Sequence, residues 1–197
     1  MKNKLKRMTF ITLTLVTCIG GGSTFARTPT MPNDVRFSRG VSNCCYYIDW
    51  TASSYQNQIV SASNNWVDTG YGWNPIYMTA VSSNYATHMD FYGRNTGSDS
   101  YLNDTALGYT SFWNTDGTLT SPKGQTPTYN YFYTEIVFNT GLSDSYDYRT
   151  AKHEMGHAFG LMHTENSYSI LFPYLEDMYV STVQQCDHDS INYLYNR

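Results

Sequence analysis

Charge is scarce in this chain. Asp, Glu, Lys and Arg make up only 14% of its 197 residues, with 12 basic and 16 acidic side chains and a formal charge of −4. A balance of that sign offers no electrostatic footprint for phosphate, which excludes nucleic acid and anionic membrane as partners. Long apolar runs are missing too. The most apolar stretch, residues 8–19, is too short to cross a bilayer as a helix. No internal repeat or second domain is visible, so the length fits one domain with a short appendage. Histidine and cysteine are rare, at five and four, and where they fall is therefore informative. Tyrosine is the opposite case, with 19 copies.

The N-terminus carries an address. Lys2, Lys4, Lys6 and Arg7 precede the apolar stretch, and three glycines and small residues follow it up to Ala26. This is the layout of a secretory signal peptide over residues 1–26, cleaved after Ala26. A lipoprotein signal ending on Cys18 is the lesser alternative, because Thr17 is an unusual residue before a lipid-bearing cysteine. Losing residues 1–26 removes four basic and no acidic residues. The remaining eight basic and sixteen acidic side chains give −8. Cys18 leaves with the signal, and Cys44, Cys45 and Cys186 stay. In an oxidising compartment three cysteines predict one disulfide and one leftover thiol.

Residues 27–43 hold two prolines and a glycine with little apolar pattern, and read as an extended leader. Residues 44–50 are aromatic and β-branched, a first strand. Across 54–67 the apolar positions Ile59, Val60, Ala62, Trp66 and Val67 have helical spacing. Short strand-like runs follow at 76–81 and 87–92, then a polar loop at 93–107. Residues 107–113 form another strand, closed by the turn sequence Asn114-Thr115-Asp116-Gly117. Residues 131–138 alternate as a strand, and a helix begins near Ser145 or Asp147.

That helix carries the chemistry. Residues 152–163 read KHEMGHAFGLMH. His153 and His157 are one turn apart on one face, so their imidazoles can chelate one ion at roughly 2.0–2.1 Å. Glu154 borders that face. Ala151, Met155 and Ala158 mark the opposite, core-facing side. A straight helix would carry His163 away from the first two histidines, and Gly160 permits the left-handed ending that turns the chain back. Such a set arises by chance on the order of once in 10⁵ chains of this size. The pattern H-E-x-x-H-x-x-G-x-x-H is the metzincin signature, and the chain resembles the matrixin branch of that clan of zinc peptidases.

The resemblance implies an α+β fold over residues 44–197: a five-stranded mixed sheet lying over an active-site helix, closed by a C-terminal helix. It implies one catalytic Zn²⁺ on His153, His157 and His163, water activated on that ion, and Glu154 as general base. The edge strand preceding the motif, here 107–113, would pair with an extended protein or peptide substrate. After the motif, residues 169–173 match the family's tight turn beneath the ion, except that Leu171 stands where a methionine is expected. The two have similar volume, and an apolar floor is preserved. Pro173 and Tyr174 would line the pocket beyond the scissile bond; a hydrogen bond from Tyr174 to the tetrahedral intermediate is the alternative role. In the C-terminal helix, Asp187 matches the acid that buttresses the turn. Cys186 stands where the family has a second acid that receives the N-terminal ammonium, which suggests a disulfide from Cys44 or Cys45 to Cys186. Zinc-blocking by Cys44 or Cys45 is the rival role.

His88 and His188 are expected to be ordinary surface or core residues. Asp99, Asp104 and Asp116 lie in polar loops without calcium-specific spacing, so solvated loops are expected and calcium is unsupported. The resulting expectation is a secreted, monomeric zinc endopeptidase with no membrane span. The alternative is a secreted binding protein on the same scaffold, whose natural mark would be loss of Glu154 or a ligand. All four residues are present.

Overall fold

Five strands and three α-helices surround a main aromatic-rich core, with a small second cluster at Leu102, Tyr109 and Val137, in the computed structural model, which describes residues 26–196. β1 (Cys44–Ile48), β2 (Met78–Val81), β3 (Met89–Arg94), β4 (Gly108–Trp113) and β5 (Tyr133–Asn139) form one sheet in the order β2-β1-β3-β5-β4. β1 runs parallel to β2 and β3, and β3 to β5; β4 alone is antiparallel, zipped to β5 from Gly108↔Phe138 to Trp113↔Tyr133. The expected mixed five-stranded sheet is therefore present, and residues 107–113 supply its edge. The strands at 76, 87 and 131 start two residues later than their composition suggests. The signal-peptide reading falls almost wholly outside the described residues. No helix among the described residues is long and apolar enough to cross a membrane.

α1 (Gln56–Val67) follows a 3-10 turn, Trp50–Tyr55, that is opened by the Asp49 carboxylate accepting from the Thr51 amide at 2.9 Å. Its buried residues Ile59, Ala62, Ser63 and Trp66 share one stripe, as periodicity requires. Trp66 donates its indole N–H to the Lys152 carbonyl at 2.9 Å, locking α1 to α2 (Tyr148–Ala158). Aromatic rings fill the space between these helices and the sheet: Tyr55 stacks on Phe138 with centroids 4.5 Å apart, and Trp66 meets Phe159 edge-on at 5.4 Å. Such pairs contribute about 0.5–1.5 kcal/mol each beyond their burial.

Residues 27–43 are extended, yet they are not a separate leader. Met31, Val35, Phe37 and Val41 are all buried in the main core. Phe37 sits edge-on to Tyr131 and Phe159. The amide of Met31 donates to the Gly160 carbonyl and that of Met162 to the Pro29 carbonyl, both at 2.8 Å, so Thr30 and Leu161 form an antiparallel bridge. The segment therefore packs into the same core as the residues after Cys44. Irregular spacing hid this: each apolar side chain enters the core alone, with no period to announce it.

α3 (Gln185–Tyr195) closes the fold. Gln184 and Asp187 form a reciprocal capping box at its start, and Ile191 and Leu194 face the core.

Candidate active site

α2 starts on Asp147, whose carboxylate accepts from the Arg149 amide at 2.8 Å and also pairs with the Arg149 guanidinium. The helix stops at Ala158 for a definite reason. Gly160 has φ +96°. Its amide donates to the His157 carbonyl at 2.9 Å, and the Leu161 amide reaches back to the Gly156 carbonyl at 3.0 Å. These two bonds make a Schellman ending. A Cβ on Gly160 would lie 2.7 Å from the Val35 carbonyl, so the residue must be glycine for two independent reasons. The chain then turns back, and the bridge to residues 29–31 aims His163 at the helix.

The three imidazoles converge. His153 Nε2 lies 3.0 Å from the Nε2 of both His157 and His163, and the latter two are 3.2 Å apart. A tetrahedral ion with bonds near 2.0–2.1 Å has an edge of roughly 3.3 Å, so the cage fits. The outward nitrogens explain the orientation. His153 Nδ1 meets the Ile170 carbonyl at 2.8 Å and His157 Nδ1 the Leu161 carbonyl at 2.9 Å. A carbonyl can only accept, so Nδ1 carries the proton and the Nε2 lone pairs face inward. Burial holds all three rings below the usual imidazole range, His157 at about 4 and the other two well below normal. Neutral imidazoles converging on one point make a site for a first-row divalent metal, zinc among them. They are the metal-capable cluster found among the described residues.

Glu154 is 2% exposed. Burial pushes its carboxyl up to about 8, with the Thr110 hydroxyl pulling the other way. Thr110 lies on β4, so the sheet's edge strand touches the acid beside the cage. Beneath the helix, Leu171 is fully buried. A Cβ on Gly156 would lie 2.7 Å from its Cδ2 atom, so this leucine floors the turn of helix between His153 and His157. The floor is pinned by Asp187. Its Oδ1 accepts from Ser169 Oγ and Thr28 Oγ1, both at 2.5 Å, and its Oδ2 from the amides of Gln184 (2.9 Å) and Ile170 (3.2 Å). Ile170 in turn presents its carbonyl to His153. Pro173 and Tyr174 follow the turn and are half-buried, with the Tyr174 ring edge-on to Phe172.

Two expectations are corrected. Cys44, Cys45 and Cys186 are free thiols. Cys44 is committed to the sheet, its amide bonded to the Tyr77 carbonyl, and residues 28, 34, 36 and 37 rather than residue 44 reach α3. The Thr28 amide donates to the Cys186 carbonyl at 3.2 Å and Ser190 Oγ to the Thr28 carbonyl at 2.6 Å. Hydrogen bonds therefore make the tie that a disulfide was expected to make. None of Cys44, Cys45 and Cys186 joins the metal-capable cluster. Asp99 is likewise not solvated. It is 6% exposed and receives Arg94 at 3.1 Å, Lys123 at 3.4 Å and the Tyr109 hydroxyl at 2.5 Å. Asp104 and Asp116 stay on exposed loops, and the three acids do not converge on a cation site. His88 and His188 are buried and hydrogen-bonded to the Cys45 amide and to Thr69 and Asn192.

Thr110, Thr28 and Ser169 were not singled out from the sequence. Thr110 had one available signal: it alternates with Gly108 and Phe112 on the core side of an edge strand, where a hydroxyl needs a partner.

A search of curated protein sequences finds no match. The family model for matrixins matches residues 50–196, which includes the motif helix, the turn and α3. With that span covering most of the chain, the protein belongs to the matrixin family.

Proposed function

We propose that the chain is an exported endopeptidase that hydrolyses peptide bonds in extended protein segments. His153, His157 and His163 would hold zinc through Nε2, and the bound ion would supply a Lewis acid for the scissile carbonyl and for water. Glu154 takes the proton from the attacking water and hands it to the leaving amide nitrogen. Its buried position favours proton exchange near neutral pH, since desolvation makes the carboxylate a stronger base. β4 pairs with the substrate backbone, and Pro173 and Tyr174 border the pocket for the next side chain. The observation that carries this reading is a buried carboxylate next to three converging neutral imidazoles.

Zymography on an unfolded protein substrate tests it. Cleavage is expected from purified protein, abolished by a chelator and restored by zinc. A protein that binds zinc yet cleaves no peptide would favour the binding-protein alternative. Export is tested separately: material recovered from the medium is expected to begin at Arg27.

A further inference from the structure

Glu154 has one side-chain hydrogen-bond partner among the described residues, and it comes from the edge strand. Thr110 Oγ1 lies 2.8 Å from Glu154 Oε2 and 3.0 Å from the Glu154 backbone carbonyl. A glutamate side chain has three torsions, and a hydroxyl held on one oxygen selects among the resulting rotamers. Threonine suits this task because its β-branch is stiff at χ1. Six register pairs with β5 fix the strand that carries it.

The second carboxylate oxygen meets a different surface. Gly108, two residues earlier and on the same side of β4, presents no side chain. A Cβ there would lie 3.5 Å from Glu154 Oε1 and Cγ, and 2.8 Å from the Val137 carbonyl. One oxygen is thus anchored by a donor while the other faces bare backbone. Both contacts come from the strand whose position at the end of the sheet suits it to pair with substrate.

We propose that Thr110 is a positioning residue for Glu154, so that the strand receiving the substrate backbone also sets the orientation of the base. This rests on Glu154 acting as that base. In this role Thr110 acts through Glu154: it fixes which Glu154 oxygen is free to take the proton. A valine here has the same shape and no donor, whereas serine restores the hydroxyl.

The test compares wild type, Thr110→Val and Thr110→Ser as zinc-loaded enzymes on one peptide, with a crystal structure of each. Thr110→Val is expected to lower kcat about ten- to a hundredfold, with KM and zinc content unchanged within about twofold. Its Glu154 carboxylate should occupy a different rotamer. Thr110→Ser is expected to retain most of the wild-type kcat, with Glu154 in place. A Thr110→Val enzyme at wild-type kcat with Glu154 unmoved would overturn the proposal and leave proteolysis intact. A Thr110→Ser enzyme as slow as Thr110→Val would also overturn it, because packing rather than the hydroxyl would then matter. Wild type that cleaves nothing, while Glu154 still swings in Thr110→Val, would sink proteolysis and uphold the positioning.

Discussion

Glu154 and Asp187 are both buried carboxylates raised by desolvation, and they differ in what surrounds them. Asp187 accepts from two hydroxyls and two backbone amides, drawn from the N-terminal segment, the turn and its own helix cap. Among the described residues, Glu154 accepts from Thr110 alone. A carboxylate has about four lone-pair sites. Asp187 fills its complement and becomes a fixed joint. Glu154 keeps most of its capacity unspent in a site where few groups compete for it. On the proposed function, one fold would separate a structural acid from a reactive one by the number of donors aimed at each.

The comparison makes graded predictions. Asp187→Ala strands four donors in the core and should destabilise the protein by on the order of 3–5 kcal/mol, read by chemical denaturation. Asp187→Asn, which keeps one acceptor, should lose less. Asp99→Asn should have a smaller and pH-dependent effect. Burial pushes Asp99 up, but the Tyr109 hydroxyl, the Tyr101 amide, Arg94 and Lys123 hold it down at about 2. Its stabilising contribution is present above pH 4 and lost as pH falls through 2. The Tm gap between wild type and Asp99→Asn should therefore close in acid.

Asp90 reverses the sign. Burial, opposed by a single hydroxyl from Thr87 and aided by Glu135 and Asp49, raises it to about 6. A raised carboxyl favours the fold while protonated, so wild type should lose stability as pH climbs from about 4 through about 6. Asp90→Asn should flatten that slope and match or exceed the wild-type Tm at pH 8, with the advantage vanishing near pH 4. If Asp90→Asn melted lower than wild type at both pH values, donor count would not govern these acids. The smallest effect is expected at the floor: Leu171→Met should change stability by less than about 1.5 kcal/mol and leave peptidase activity intact.

Much of this was legible in the sequence, for identifiable reasons. The histidine spacing, Gly160 and the core stripe of α2 are local, so helical geometry alone places them. Residues 107–113 read as a strand by composition, and their place at the edge followed from the family order of elements. What stayed hidden depends on contacts between distant residues. Thr28 and Asp187 are 159 positions apart, and no local pattern links them. Met31, Val35, Phe37 and Val41 enter the core from an extended segment without a repeat. Asp99 looked like a loop acid because Lys123 and Tyr109, which bury it, come from other parts of the chain. The cysteines misled for the same reason: one disulfide among three cysteines is natural in an oxidising compartment, but β1 holds Cys44 and Cys45 in the sheet.

The central claim is that Glu154 acts chemically while the histidines hold the ion. It is tested by measuring zinc content and peptide cleavage together in wild type and Glu154→Gln. The account predicts one zinc per chain in both proteins, with cleavage reduced about 10²- to 10⁴-fold in Glu154→Gln. Wild-type cleavage by a fully zinc-loaded Glu154→Gln protein would contradict it.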